Sequence, residues 1–303
     1  MTDTALPDAA PAPTESPFRR IVSEFAESKL AVFGLVVLAV FLAAALLAPW
    51  LAPQNPYDLA VLDILDARLP PGETSGTGLV FWLGSDGQGR DMLSAMLYGL
   101  RISLFVGVTA VSAALAIGAF AGLLAAYVGG RVETLIMRTV DIQLSFPAIL
   151  LALILLSLLG NGVDKVIIAL VAVQWAYFAR AARGAALVER NREYVEAARC
   201  LGLSRSRLLL RHLLPNCLPP LIVIATVDIA RSITLEATLS FLGLGVPVTE
   251  PSLGMLIANG FDYMLSGVYW IAVFPGVLLT IVIVAINLVG DQLRDVLNPR
   301  LKR

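Results

Sequence analysis

Three ionisable residues lie inside an otherwise apolar stretch of the chain, residues 218–242. They are Asp228, Arg231 and Glu236. In a membrane helix a central charge costs at least about 2.5–3.5 kcal/mol, so such side chains normally face protein or water. Asp228 and Arg231 are three residues apart, which lets them pair on a helix. They are either a structural ion pair that orients the helix or part of the lining of a pathway; the pattern assigns no role to Glu236.

A second candidate is the basic segment 183–215. Its first half, around Glu196, Ala197 and Ala198, contains strong helix formers. Gly202 is placed to end that helix, and Ser204 is placed to cap a second one. The pattern predicts a short helix–turn–helix between two membrane helices, which could transmit force from a partner. The alternative is a basic loop that only sets topology or binds anionic lipid.

The sequence offers little for catalysis. The lysines are Lys29, Lys165 and Lys302, and none lies in a Gly-x-x-x-x-Gly-Lys-Ser/Thr loop, so the chain is not expected to hydrolyse ATP. His212 is the single histidine, so no second histidine is present to form a metal site with it. The basic segment has few aromatic residues between its arginines, which argues against nucleic-acid binding. The glycine-rich run before Asp91 is interpreted as a turn, with Asp91 as the N-cap of the following helix.

The elements that must position these residues are membrane helices. The chain has 303 residues, of which 58% are hydrophobic and 15% charged, and its mean hydropathy is +0.81. Soluble domains have about 25% charged residues. The pattern predicts an all-α polytopic membrane protein, because a span needs about 20 apolar residues. The six predicted helices are 30–51, 102–128, 140–160, 163–182, 216–241 and 269–290.

The distribution of Lys and Arg predicts the orientation. Most of them fall in the N-terminal tail, in the basic segment and at the C-terminus, so both termini are expected in the cytoplasm. We divide the chain into a disordered cytoplasmic tail (1–20), an N-terminal segment with the first span (21–51), an extracytoplasmic loop (52–100) and a core with five spans (101–303). Gly107, Gly118 and Gly122 allow close helix approach, either within the subunit or at an interface.

Several motifs together resemble a known family. Glu196-Ala197-Ala198, then Gly202, then Leu214-Pro215 is similar to the Glu-Ala-Ala loop of ATP-binding cassette importer permeases. His212 departs from that motif, where isoleucine is frequent, and resembles the peptide and nickel branch. Further segments resemble the second, C-type permease of this branch: 83–91 with 98–104, 141–147, 239–245 and 287–300.

The resemblance implies a type I importer permease of the bacterial inner membrane with six spans. Glu196, Ala197, Ala198, Gly202, Leu214 and Pro215 would form the segment that docks on the ATPase. The implied partners are a second similar permease, one or two kinds of cytosolic ATPase that hold ATP and Mg²⁺, and an extracytoplasmic solute-binding protein. Di- and oligopeptides are the favoured cargo, with nickel and opines as alternatives. An ion-gradient-driven secondary transporter is a further alternative, but no second half resembles the first.

Overall fold

The computed structural model describes residues 17–58, 62–76, 78–247 and 249–297. Within these residues the fold is helical, and isolated β-bridges are confined to the loop before residue 92. In chain order the helices are α1 (Pro17–Ala26), α2 (Lys29–Leu46), α3 (Ala48–Leu51), α4 (Met92–Val128), α5 (Gly130–Leu144), α6 (Ala148–Leu159), α7 (Val163–Glu189), α8 (Glu193–Cys200), α9 (Arg205–Arg207), α10 (Leu214–Phe241), α11 (Leu253–Phe261) and α12 (Trp270–Leu297).

Five of the six predicted spans are present as helices that are long and apolar enough to cross a bilayer. The sixth corresponds to the pair α5–α6, which passes the same test only when the two helices are taken together and which is bent by 92°. The prediction of one continuous helix over 140–160 is therefore wrong. The break falls at Pro147, which lacks an N–H donor and disfavours helical geometry at Phe146. Residues 130–139, expected in a loop, belong to α5.

Several spans are longer than predicted. Helix α4 has 37 residues, or about 55 Å, against a hydrocarbon core of about 30 Å. It begins at Met92 rather than at 102, because Asp91 caps it by accepting a 2.7 Å hydrogen bond from the Ser94 amide. The predicted N-cap is thus confirmed. Helices α7 and α12 continue to Glu189 and Leu297, seven residues beyond their predicted ends, as polar but strongly helix-forming segments.

The core lies where α4 packs along α7. A Cβ at Gly118 would overlap the Trp175 carbonyl and the Phe178 side chain, and a Cβ at Gly122 would overlap the Ala179 carbonyl and the Ala182 side chain. Close packing of these two helices therefore requires glycine. Of the two roles that the sequence left open, these glycines serve contacts within the subunit.

The N-terminal region differs from its prediction at two points. The helix predicted at 30–51 is divided at Leu47 into α2 and the short α3. Residues 17–20, expected in a disordered tail, form the first turn of α1. This helix contacts α12, where the Gln292 side chain donates a 3.1 Å hydrogen bond to the Glu24 carbonyl. The contact gives α1 a fixed partner, which composition alone does not show. Residues 1–16 and the last part of the C-terminal motif, 298–303, lie outside the described residues.

The loop predicted at 52–100 is ordered over most of its length. Asp86 and Arg90 form a fully buried ion pair at 2.7 Å, and Asp86 also accepts a 3.0 Å bond from the Arg90 amide. Trp270 donates a 3.1 Å bond to the Ser85 carbonyl and so joins the loop to the start of α12. Removal of one partner from such a pair leaves an uncompensated buried charge and strongly destabilises the fold. The loop is therefore a folded cap on its end of the bundle, and its last nine residues already belong to α4.

Candidate coupling site and intramembrane cavity

The predicted helix–turn–helix is present between α7 and α10. Helix α8 ends at Cys200, and Gly202 adopts a left-handed φ of +72°. Glycine enters this region at little cost, which explains the sharp turn. Ser204 precedes α9 at the N-cap position, although its side chain makes no capping bond. A π-helical turn, Leu208–Leu213, then leads directly into α10, with Pro215 in its first turn.

The segment is held against the ends of α4 and α7 by a hydrophobic cluster, here called the anchoring cluster. Val195, on the inner face of α8, and Leu208, on the π turn, are buried in it. The cluster fixes the helix–turn–helix by burial of apolar area. Its members are Leu123, Ala126, Ala186, Val195, Ala198, Leu208, Leu213 and Cys217.

The predicted docking residues divide between two faces. Glu196, Ala197 and Gly202 are exposed on the outer face. Ala198 is only 5% exposed and packs in the anchoring cluster, so it faces its own subunit and cannot form part of an exposed docking surface. Leu201 was missed by sequence reasoning, although it is 81% exposed at the tip. We call Glu196, Ala197, Leu201 and Gly202 the coupling tip.

Leu214 and Pro215, also predicted for docking, lie away from the coupling tip. Leu214 is half-buried beside the anchoring cluster. Pro215 is exposed in the first turn of α10. There its missing N–H costs little, because the first turn of a helix has no intrahelical acceptor for it. Their observed positions fix how α10 leaves the segment.

Polar contacts close the base of the segment. The Tyr194 hydroxyl donates a 2.9 Å hydrogen bond to Glu189 and accepts a 3.2 Å bond from the Asn216 amide. Burial, followed by the Glu189 hydrogen bond, raises the pKa of Tyr194 to about 12, so the phenol stays neutral and keeps donating. The end of α7, the start of α8 and the start of α10 are thus joined in one hydrogen-bonded unit. Residue spacing does not indicate this unit.

Two ion pairs join α5 to α7. Arg180 pairs with Asp141 at 2.5 Å, and Arg183 pairs with Glu133. The two arginines are one turn apart on α7, and the two carboxylates lie two turns apart on α5. The sequence does not predict these pairings. In the structure they hold α5 beside α7, the helix that leads to the helix–turn–helix of residues 193–213, here called the coupling segment.

The Asp228–Arg231 pair is formed, with 3.2 Å between the nearest nitrogen and oxygen. Asp228 is nearly buried, with 7% of its side chain exposed, whereas 73% of the Arg231 side chain is exposed. Both line a cavity of about 1030 Å³ between α7, α10 and the end of α12. An arginine so exposed on a membrane helix must face water or protein. The pair is therefore both an ion contact and part of a cavity wall.

Glu236 lies elsewhere. It is fully buried and does not line this cavity. It accepts hydrogen bonds from Ser103 at 3.0 Å and from Ser240 at 2.8 Å. The Ser103 bond joins α10 to α4, whereas the Ser240 bond lies within α10. The position that the sequence left without a role therefore holds helices together.

Five apolar helices and a bent pair that could cross a membrane, a cavity with charged walls and a packed helix–turn–helix between two of the helices are typical of a membrane-embedded transport subunit. Residues 114–303 match the family described as binding-protein-dependent transport system inner membrane component. Residues 16–71 match the N-terminal transmembrane domain of oligopeptide transport permease C. The chain belongs to this family of ATP-binding cassette importer permeases. It is a multi-pass protein of the bacterial inner membrane and a transport subunit rather than an enzyme.

Individual relatives agree with this assignment. A Brucella suis protein whose name describes a peptide transport system permease is 42% identical over 99% of this chain and 97% of its own. The di/tripeptide transport system permease of Pseudomonas aeruginosa is 39% identical over 95% of this chain and 93% of its own. The inward-facing methionine transporter MetNI contains a chain of similar fold, with a TM-score of 0.55 and 23% identity over 68% of this chain and 97% of that chain. Membership in the family decides against the ion-gradient-driven alternative.

Proposed function

We propose that this chain forms half of the translocation pathway of an ATP-driven importer of di- and oligopeptides. A second permease of similar fold supplies the other half. An extracytoplasmic binding protein delivers the peptide, and cytosolic ATPases bind ATP and Mg²⁺. The names of full-length relatives support the peptide cargo over nickel or opines.

The observation that carries the proposal is the coupling tip. It is exposed, and it is held rigidly by the anchoring cluster and the Tyr194 contacts. In our proposal it docks in a cleft of the ATPase, where Glu196 pairs with a basic residue and Leu201 enters an apolar pocket. Closure of the ATPases on ATP then moves the segment and, with it, α7 and α10. If the coupling tip docks on a cytosolic ATPase, both termini lie in the cytoplasm, as the distribution of Lys and Arg predicts.

Purification of the subunit from native membranes in mild detergent tests the assembly. We expect mass spectrometry to find a second permease and ATPases with nucleotide-binding loops in the same complex. Glu196→Ala and Gly202→Asp should release the ATPases and abolish peptide uptake, while membrane insertion stays normal. Glu27→Ala, an exposed carboxylate in the turn between α1 and α2, is the matched control.

The outcomes separate the parts of the proposal. Normal uptake in both tip variants would overturn the docking assignment. Recovery of the chain alone, with uptake that needs no ATP, would overturn the assembly. Nickel or opine uptake without peptide uptake would replace the cargo and leave the assembly in place.

A further inference from the structure

The cavity behind the coupling segment extends far into the membrane. Its outer part is lined by Arg192 and Asn216, and its inner part by Asp228 and Arg231. At about 1.5 Å per residue, α10 rises about 22 Å between Asn216 and Arg231. The hydrocarbon core is about 30 Å thick. Arg231 therefore lies deep within the bilayer, at the inner end of a cavity that begins beside the coupling segment.

Asp228 occupies only part of the hydrogen-bonding capacity of the Arg231 guanidinium. One of its nitrogens, Nη1, contacts Asp228 at 3.2 Å, and the guanidinium makes no other hydrogen bond to the part of the chain that the structure describes. A guanidinium has five N–H donors in a planar fork that matches a carboxylate. Asp228 thus contacts the arginine through one nitrogen, while the Arg231 side chain lines the cavity and is 73% exposed.

The charge around the cavity also favours an anion. Arg192, Arg231 and Arg294 line it together with Glu189 and Asp228, so three positive groups oppose two negative ones. Arg192 lies 3.6 Å from Glu189, which leaves Arg294 and the exposed face of Arg231 to set the field. The remaining wall is mostly apolar, and an apolar wall strengthens any ion contact made there.

We propose that Arg231 binds the terminal carboxylate of the transported peptide inside the membrane, with Asp228 as its positioning residue. The proposal rests on the function proposed above and adds a specificity site to it. Apolar walls accept different side chains, whereas the C-terminal carboxylate, which every unmodified peptide carries, finds a fixed partner. A charged group can then cross the membrane without facing lipid.

The test compares uptake of a dipeptide with uptake of its C-terminal amide, using the complete importer in proteoliposomes at saturating binding protein. The ratio of the two rates is measured for wild type and for Arg231→Gln. Selection by the binding protein contributes equally to both ratios and cancels. We expect the ratio to fall about tenfold in Arg231→Gln, the value of one charge-assisted hydrogen bond. Arg231→Lys should keep part of it, and Arg138→Gln, an exposed arginine on α5, should keep all of it.

Equilibrium binding gives a second readout that does not need turnover. The nucleotide-free complex in nanodiscs, without binding protein, is titrated with the radiolabelled dipeptide and its amide. We expect wild type to bind the free acid about tenfold more tightly than the amide, and Arg231→Gln to bind both equally.

Three results would overturn the inference. The first is an unchanged ratio in Arg231→Gln. The second is that Arg231→Gln loses uptake of both substrates equally, while the exchanged pair, Asp228→Arg with Arg231→Asp, restores it. That result would mean that the pair is purely structural. The third is loss of the second permease from the Arg231→Gln complex, since Arg231 would then be an interface residue. If the wild-type complex imports no peptide at all, the proposed function itself fails, and this result differs from the other three.

Discussion

The anchoring cluster leads to a prediction about two leucines in the same segment. Leu208 is buried in the cluster with 1% exposure, whereas Leu201 at the coupling tip is 81% exposed. A buried Leu→Ala change costs about 2–5 kcal/mol. We expect about 3 kcal/mol for Leu208→Ala, because half-buried neighbours can close part of the space. This corresponds to a rise of roughly 100-fold in the equilibrium constant for local opening of the segment. Leu201→Ala should change local stability by less than about 0.5 kcal/mol.

Hydrogen exchange of the purified subunit measures the opening directly. The Leu203 amide, which donates to the Ala198 carbonyl at 3.3 Å, reports on the turn. We expect its protection to fall in Leu208→Ala and to stay unchanged in Leu201→Ala. ATPase affinity should fall in both, in the first because binding must order the segment and in the second because an apolar contact is lost. Unchanged protection in Leu208→Ala would refute the assignment of the cluster as the anchor. Unchanged ATPase affinity in Leu201→Ala would remove that residue from the docking surface.

Three further perturbations test other contacts. Tyr194→Phe should cost about 1 kcal/mol of local stability. The pKa of Tyr194 is raised to about 12 in the folded segment, so the unfolded segment loses the phenol proton at lower pH. Wild type should therefore lose stability as the pH rises from 10 to 12, whereas Tyr194→Phe should not. Hydrogen exchange at several pH values measures the local stability of wild type and of the variant. Glu236→Ala should lower thermal stability in detergent by about 1–3 kcal/mol, because two buried serine hydroxyls lose their acceptor, whereas Glu236→Gln should retain most of it. Gly118→Ala should cost about 1–3 kcal/mol of stability, because the added Cβ overlaps α7. Gly276→Ala is the control and should not destabilise, because the space around Gly276 is open. Equal losses of stability in the two variants, measured by thermal melting, would contradict the packing of α4 on α7.

Features set by local chemistry were predictable from the sequence. Hydrophobic length located the spans, and Asp91 and Gly202 were placed correctly because a cap and a left-handed turn depend on a few neighbouring residues. The Asp228–Arg231 pair was predictable for the same reason, since the i, i+3 spacing lies within one helix. Such features need no knowledge of how the helices pack.

Features set by tertiary packing could not be predicted in this way. Ala197 and Ala198 are adjacent and chemically identical, yet one is exposed and the other faces the anchoring cluster, because α8 presents only one side to α4 and α7. Asp86 and Arg90 were interpreted as parts of a turn, and only the fold of the loop shows that they are buried. The 92° bend had a local signal in Pro147, but the apolar run on both sides of it favoured a continuous helix.

The walls of the cavity constrain how transport is controlled. Helices α7 and α10 are joined at one end by the helix–turn–helix and further along their length by Gln174, which donates a 2.8 Å bond to Ser232. Helix α12 packs closely on α10, where a Cβ at Gly290 would lie 3.3 Å from Thr226. Displacement of the coupling segment therefore moves these walls together, because packed interiors resist internal sliding. We expect access to the cavity to change by motion of this unit against the second permease, so that spin labels on α7 and α12 keep their separation through the ATP cycle while distances to the partner subunit change.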